Sequence, residues 1–200
     1  MKKLMMLLSV ISIICVASVR SNADPIVFVA NLTQAESPPT GSPGTGFALV
    51  TIDPTAHTLT VNVAFNGLTA GSTASHIHAA TPAPFSGTAG VATTTPTFPN
   101  FPLGVTSGTY FMTFNTLDSS SYNPAFVSAN GGTTASAEAA LFTAIMNGQS
   151  YLNIHTTNFP NGEIRGFLQP VPEPATMMLL GSGLLGIALK ARRKWKADKD

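Results

Sequence analysis

The sequence predicts a mainly β fold: a Greek-key antiparallel β-sandwich with one short helix, flanked by an N-terminal signal helix and a C-terminal transmembrane helix. Short β-rich segments separated by turns rich in Pro, Gly and Asn recur through the central part of the chain. The apolar period changes to that of a helix once in that part. Uncharged apolar runs lie near both ends of the chain, which has 200 residues.

Hydrophobic patterning places about seven short strands in the central part, a number typical of a sandwich. Residues 58–65 alternate most cleanly between apolar and polar side chains, which indicates a half-buried antiparallel strand. The final two strands are joined by a hairpin whose signal is Asn161-Gly162. The other predicted strands span 25–32, 47–52, 76–79, 110–116, 151–156 and 163–169.

The predicted helix covers 136–147, because its apolar residues recur on one stripe and Gly148 follows as a stop signal. A long segment without regular structure is expected over 80–107, which contains five prolines. Segments of that length are usually functional or disordered, so we expect this one to cover a site.

The charge of the central part excludes one class of partner. Between positions 24 and 170 the chain has no lysine and one arginine, Arg165, against six Asp and Glu residues, so its formal charge is −5. Nucleic acid is therefore not an expected partner, because binding to phosphates requires clustered cations. The one cysteine, Cys15, lies outside this part, which leaves no thiol there for a disulfide, a metal or a nucleophile.

Residues 1–23 have the features of a secretory signal peptide. A positive start (Lys2 and Lys3) precedes an apolar stretch, and the small residues Ser21 and Ala23 stand at the −3 and −1 positions of a signal peptidase site. A membrane anchor is the alternative, but the stretch is shorter than the ~20 residues that span a bilayer.

Residues 171–196 combine three features in a fixed order. Two prolines enforce an extended, accessible segment, an uncharged run from 175 to 189 follows with the composition of a transmembrane helix, and a basic cluster holds the end in the cytoplasm. The extended segment carries Pro172, Glu173 and Pro174, and the basic tail includes Arg192, Arg193 and Lys194.

This arrangement resembles the PEP-CTERM sorting signal of Gram-negative bacteria, with Pro172-Glu173-Pro174 as its signature. The resemblance implies an intermediate anchored in the inner membrane, recognition by an exosortase and removal of the tail. Delivery to the cell surface or extracellular matrix would follow. A plain tail-anchored protein is the alternative interpretation.

The histidines are the best candidates for a site. His76 and His78 are two residues apart in a predicted strand and therefore share a face, while Ile77 points into the core. The same argument puts His155 on an outer sheet face. If the two strands are neighbours, three imidazoles converge at a spacing suited to copper or zinc. The alternative is a set of hydrogen-bonded histidines that hold the covering loop, and His57, in a turn, is expected to be solvated.

Glu163 and Arg165 also share a face, which predicts a cross-strand or loop-anchoring ion pair, or a place in the second shell of the metal site. Catalytic residues are not predicted. A carboxylate pair for acid–base catalysis is not apparent, and Ser75 lies on the opposite face from the adjacent His76.

Two segments carry a second resemblance: His76-Ile-His78 and the run from Tyr151 to Leu168, which includes His155 and the Glu163-Ile-Arg165 tripeptide. They resemble the paired signatures of the CHRD domain, over about residues 26–169. That family has no established enzymatic activity. Its His-x-His strand and sandwich are also similar to Cu/Zn superoxide dismutase, so an immunoglobulin-like or a superoxide-dismutase-like sandwich is expected.

Together these features predict a signal peptide (1–23), a CHRD-like domain (24–170) and a sorting segment (171–196). The expected function is that of an exported surface or matrix protein whose domain is a non-enzymatic binding or structural module. A surface protein or a polysaccharide is its expected partner. The alternative is a copper- or zinc-binding periplasmic or extracellular protein, with potential redox activity, that uses His76, His78 and His155.

Overall fold

The computed structural model describes residues 24–34, 39–172, 179–188 and 190. Their fold is mainly β, as predicted. The helical elements are a 3-10 turn (Ser119–Ser121), α1 (Pro124–Ala129) and α2 (Thr134–Met146). The strands are β1 (Ile26–Gln34), β2 (Thr45–Asp53), β3 (Thr58–Asn66), β4 (Ser72–Ala79), β5 (Gly108–Asn115), β6 (Ser150–Thr156), β7 (Ile164–Phe167) and β8 (Gln169–Pro170).

The strands form one curled antiparallel sheet in the order β4-β6-β7-β1-β2-β3-β5, with β8 beside β1. Strand β1 joins the two halves of the sheet. Its residues 26–32 pair with β2, whereas Thr33 and Gln34 pair with β7. One long strand therefore connects the half that contains β2, β3 and β5 to the half that contains β4, β6 and β7.

Alternating side chains from both halves fill a single core. In β3 the apolar residues are buried at every second position, as the sequence pattern predicts. Phe28 and Val61 from one half, and Ile77 and Leu152 from the other, belong to the same buried cluster. The cluster also includes Leu141 and other apolar residues of α2, so the helix packs against the core that the sheet surrounds.

The predicted helix is confirmed with slightly different ends, since α2 begins two residues earlier than expected. Thr133 is its N-cap and forms a capping box with Ser136. Helix α1 was not predicted, so the domain has more than the one helix that was expected. Helix α1 begins with Asn123 as N-cap and Pro124 in the first turn, and it is too short to produce an apolar period.

The long segment over 80–107 contributes to the core as well as covering the sheet. Phe98 is fully buried, and Phe101 stacks on Phe65 with 5.6 Å between ring centroids. These aromatic contacts fix the segment against the protein interior. The segment is therefore an ordered part of the domain.

The terminal predictions fall largely outside the described residues. This applies to the signal peptide (1–23), and to Glu173, Pro174, Arg192, Arg193 and Lys194 of the sorting segment. Within the predicted apolar helix, residues 179–188 are helical. Across the described part of the chain, no helix has both the length and the apolar character needed to cross a membrane.

Gly166 allows β1 and β7 to approach closely. A Cβ at this position would lie 2.3 Å from the carbonyl oxygen of Asn31, which is a backbone atom that cannot rotate away. We expect Gly166→Ala to lower the free energy of unfolding by about 1–3 kcal/mol through overpacking. Gly90→Ala is the matched control, because a Cβ there meets no atom within 4 Å. Denaturant unfolding measures both, and equal midpoints for the two variants would contradict the proposed close approach.

Candidate metal centre

The pairing of β4 with β6 brings the three predicted histidines together. In the antiparallel register His76 lies opposite Asn153, His78 opposite Tyr151, and Ala74 opposite His155. Ile77 lies between the two histidines of β4 and is fully buried in the core. The strands that carry the histidines are therefore neighbours, as convergence of the three imidazoles requires.

One nitrogen from each of the three rings lies within 4.8 Å of the other two. The shortest separation is 3.3 Å, between His76 Nδ1 and His155 Nε2. An ion with ~2.05 Å bonds in tetrahedral geometry separates its nitrogen ligands by about 3.3 Å. His76 and His155 already have this spacing, and the widest separation would shorten by no more than about 1.5 Å on binding.

Backbone carbonyls fix the orientation of all three rings. His76 Nε2 faces the Pro96 oxygen at 2.7 Å, His78 Nδ1 faces the Ala89 oxygen at 2.9 Å, and His155 Nδ1 faces the Pro160 oxygen at 2.8 Å. A carbonyl oxygen only accepts hydrogen bonds, so each of these nitrogens carries the proton. The lone pairs are consequently on His76 Nδ1, His78 Nε2 and His155 Nε2. Anchoring of this kind is typical of histidines that bind metals.

Burial keeps these rings uncharged. His76 is 5% exposed and His78 is 7% exposed. Burial lowers the pKa of His76 to about 4, an effect that the Pro96 carbonyl opposes and that His155 increases. Burial likewise lowers the pKa of His78 to about 4, and burial lowers the pKa of His155. Near neutral pH the rings are neutral, so their lone pairs are available to a metal ion without loss of a proton.

The chemistry of the donor set fits copper or zinc. Imidazole nitrogen is a good ligand for both ions, and three such donors leave a fourth position open. In addition, His78 Nε2 is fully enclosed and has no hydrogen-bond partner. An enclosed lone pair without a partner is costly, and a coordinated ion would satisfy it.

Asn153 completes the lining of the cluster, and no pattern in the sequence pointed to it. Its side-chain nitrogen lies 3.4 Å from His155 Nε2 and donates to the Asn161 oxygen at 3.1 Å. Its Oδ1 is enclosed and without a hydrogen-bond partner. The Asn153 side chain lies directly against Gly162, whose φ is +116°. A residue with a side chain would not fit at position 162, since its Cβ would lie 2.2 Å from Asn153 Oδ1.

Tyr151 contacts both His78 and the segment over 80–107 that covers the site, here called the covering segment. Its ring stacks on His78 with 4.8 Å between centroids and an interplanar angle of 9°. Its hydroxyl group lies 3.3 Å from both the amide nitrogen and the carbonyl oxygen of Ala89. Ala89 also anchors His78, so one residue of the covering segment holds both rings in place.

Glu163 and Arg165 do not form the predicted ion pair, because each side chain has other partners. In the described ranges the one ion pair joins His57 to Glu138. The Glu163 carboxylate instead accepts hydrogen bonds from the Ser42 hydroxyl at 2.5 Å, the Thr69 amide at 2.7 Å and the Thr156 hydroxyl at 2.6 Å.

These hydrogen bonds determine the acidity of Glu163. Burial raises the pKa of its carboxyl group, but the donors from Ser42, Thr156 and Thr69 together outweigh burial and hold the pKa below its ordinary value. Glu163 therefore ties β7 to the segments around Ser42 and Thr69, and the structure gives it no contact with the three histidines.

Arg165 packs on the ring of Tyr151. Its guanidinium carbon is 4.9 Å from the centroid of the Tyr151 ring and 5.8 Å from that of Phe167. Its Nη1 donates to the Gly87 oxygen at 3.3 Å. Of Glu163 and Arg165, Arg165 is therefore the one that packs against Tyr151, the residue that stacks on His78.

His57 is at a different place in the fold. It was expected to be solvated, but its Nδ1 lies 2.9 Å from Glu138 Oε1, and its side chain is 43% exposed. Glu138 also accepts a hydrogen bond from the Thr116 hydroxyl. This pairing connects the turn after β2 to α2, and it leaves three of the four histidines of the chain at the candidate centre.

Comparison with known protein families gives two matches. A model of the CHRD domain matches residues 28–168, and a model of the PEP-CTERM protein-sorting motif matches residues 170–194. Searches of curated proteins and of solved structures found no match. The two matches agree within two residues at each end with the segments that carry the resemblances, 26–169 and 171–196.

The environment of Glu163 predicts how stability depends on pH. Its folded pKa lies below the unfolded one, so its stabilising effect is complete above the unfolded pKa and is lost as pH falls through the folded pKa. We expect Glu163→Gln to lower the free energy of unfolding by about 1.5–3 kcal/mol at neutral pH, the usual range for hydrogen bonds to a charged group.

The difference between Glu163→Gln and wild type should shrink as denaturant unfolding is repeated at successively lower pH, down to about 3, where the unfolded glutamate is protonated. Asp24→Asn is the control, since it neutralises an exposed carboxyl group at the edge of the domain. A stability difference that does not change with pH would contradict the role assigned to the charge of Glu163.

Proposed function

Because this chain belongs to the CHRD domain family and carries a PEP-CTERM protein-sorting motif, we propose that it is retained at the cell surface or in the extracellular matrix of a Gram-negative bacterium. The sorting motif indicates export, a membrane-anchored intermediate and processing by an exosortase. In this proposal signal peptidase removes residues 1–23 first. The domain then acts outside the cell as a binding module without enzymatic activity.

The species that the module binds, in our proposal, is a copper or zinc ion. The observation that carries this proposal is the convergence of one imidazole nitrogen from each of His76, His78 and His155 within 4.8 Å. The carbonyls of Pro96, Ala89 and Pro160 support it, because each holds one ring in place and leaves the other nitrogen of that ring free to bind an ion. The fully enclosed His78 Nε2 supports it further.

The surroundings favour binding over catalysis. Within the described residues this is the one cluster of three or more His, Cys, Asp or Glu side chains with metal-binding spacing, and it contains no carboxylate. Catalysis at an open metal position usually needs a neighbouring acid or base. Glu163, the nearest candidate in sequence, is engaged by three hydrogen-bond donors elsewhere. The ion would serve to hold the covering segment or to be stored.

Export and processing predict the mass of the mature protein. Signal peptidase and exosortase should together remove about the first 23 residues and the apolar tail with its basic end. Intact-mass spectrometry of the protein isolated from the cells that produce it measures both losses. A mature species that still contains Trp195 would contradict tail removal, and one that begins at Met1 would contradict signal cleavage.

Metal binding predicts about one equivalent of copper or zinc in the exported protein, purified without a histidine tag. His78→Ala should reduce this several-fold, because it removes one of three ligands. His57→Ala is the matched control, since it deletes the histidine that pairs with Glu138 outside the cluster. Equal metal content in the two variants would contradict the site.

His78→Ala could lose metal because it is unfolded, so thermal unfolding provides a second test of the metal site. A bound ion stabilises only the form that holds it, so added metal should raise the Tm of wild type and of His57→Ala but leave that of His78→Ala unchanged. An equal rise in Tm for all three proteins would also contradict the site.

A further inference from the structure

Arg165 is a buried cation without an anion. It is 7% exposed, and the one ion pair in the described part of the chain does not involve it. Burying a charge is unfavourable unless an opposite charge or several hydrogen bonds compensate for it. Stacking on Tyr151 and Phe167 offsets part of this cost, but the guanidinium has five donors and makes one hydrogen bond, to Gly87.

The remaining donors of Arg165 open into a cavity. In the described residues, the fully enclosed side-chain nitrogens and oxygens without a partner belong to His78, Ser150 and Asn153. The unpaired donors of Arg165 are not in this set, so they keep contact with open space. That space is a cavity of about 220 Å³ beside β1 and β7, which Arg165 helps to line.

The other residues that line the cavity are of two kinds. Amide side chains come from Asn31, Gln34 and Gln169, all of which are exposed. Aromatic rings come from Phe85 and Phe167, which pack edge to face with 6.3 Å between centroids. Phe85 is 51% exposed, although it lies in the ordered covering segment. The cavity thus offers a cation at its base, hydrogen-bonding groups at its rim and an exposed aromatic ring.

We propose that this cavity binds the carboxylate of a sugar acid, a uronic acid residue of a surface or matrix polysaccharide. Arginine is suited to a carboxylate because its planar fork donates two parallel hydrogen bonds. The amides match the hydroxyl groups of a sugar, and an exposed aromatic ring matches the apolar face of a sugar ring. A peptide carboxylate would also use Arg165, so a simple amide that carries a carboxylate is one of the ligands compared in the test.

The charge and size of the site restrict the ligand further. The central part of the chain has a formal charge of −5, which disfavours binding of a densely charged polyanion along its surface. A cavity of about 220 Å³ is also small relative to ligand pockets of ~300–1,000 Å³, so it has room for one sugar ring of the ligand. This inference goes beyond the proposed metal site, because it uses Arg165 and none of the three histidines.

Calorimetric titration of the exported protein with sodium glucuronate, glucose and N-acetylalanine tests the proposal. Glucuronate should bind at least about tenfold more tightly than glucose, the gain expected from hydrogen bonds to a charged group. It should also bind more tightly than N-acetylalanine, which presents a carboxylate without a sugar. Equal binding of glucuronate and glucose would overturn carboxylate recognition, and tighter binding of N-acetylalanine would overturn the sugar assignment.

Variants locate the binding. Arg165→Gln should remove the preference for glucuronate over glucose. Arg165 packs on two aromatic rings, so a second variant, Asn31→Asp, places a negative charge at the exposed rim without altering the core. It should weaken glucuronate binding several-fold and leave glucose binding unchanged. Asn62→Asp, which adds the same charge at an exposed position of β3, is the control, and equal effects of the two Asp variants would overturn the proposal.

Metal content measured on the same samples separates the two proposals. Weaker glucuronate binding by Asn31→Asp, with the metal content of wild type, supports the sugar site as an independent function. If Arg165→Gln and wild type bind glucuronate equally, the sugar site is overturned whatever the metal content is.

Discussion

The antiparallel pairing of β4 with β6 is the contact on which the candidate metal centre depends. Alternation along β4 puts His76 and His78 on the same face, and the register with β6 adds His155 diagonally opposite. A shift of one residue in this register would send His155 toward the core and Ile154 away from it. The fully buried Ile77, Leu152 and Ile154 fix the register, so the packing of the core determines where the imidazoles meet.

The segment over 80–107 converts an exposed sheet face into an enclosed site. Its carbonyls from Ala89 and Pro96 orient two of the rings, and Phe98 fastens the same segment inside the core. Because the rings are enclosed, they are neutral, and neutral imidazoles are the form that binds metals. The packing of the 80–107 segment therefore both stabilises that segment and keeps the three imidazoles in the neutral form that binds an ion.

Local periodicity explains what the sequence predicted well. The strand alternation of β3, the helix α2 and the shared face of His76 and His78 all follow from side-chain spacing within a few residues. The anchoring carbonyls were not predictable, since every residue has one and only the tertiary fold selects among them. The same holds for Glu163 and Arg165, whose shared face suggested a pair. Partners from distant segments, Ser42 and Thr69 for one and Gly87 for the other, separate them.

The most direct test of the central claim, that three histidines of this CHRD domain hold one metal ion, is anomalous X-ray diffraction at the copper and zinc edges from crystals of the exported protein. We expect one anomalous peak about 2.0–2.1 Å from each of His76 Nδ1, His78 Nε2 and His155 Nε2. Crystals grown with a stoichiometric amount of either metal that show no peak between these nitrogens, or a peak bound to only one of them, would contradict it.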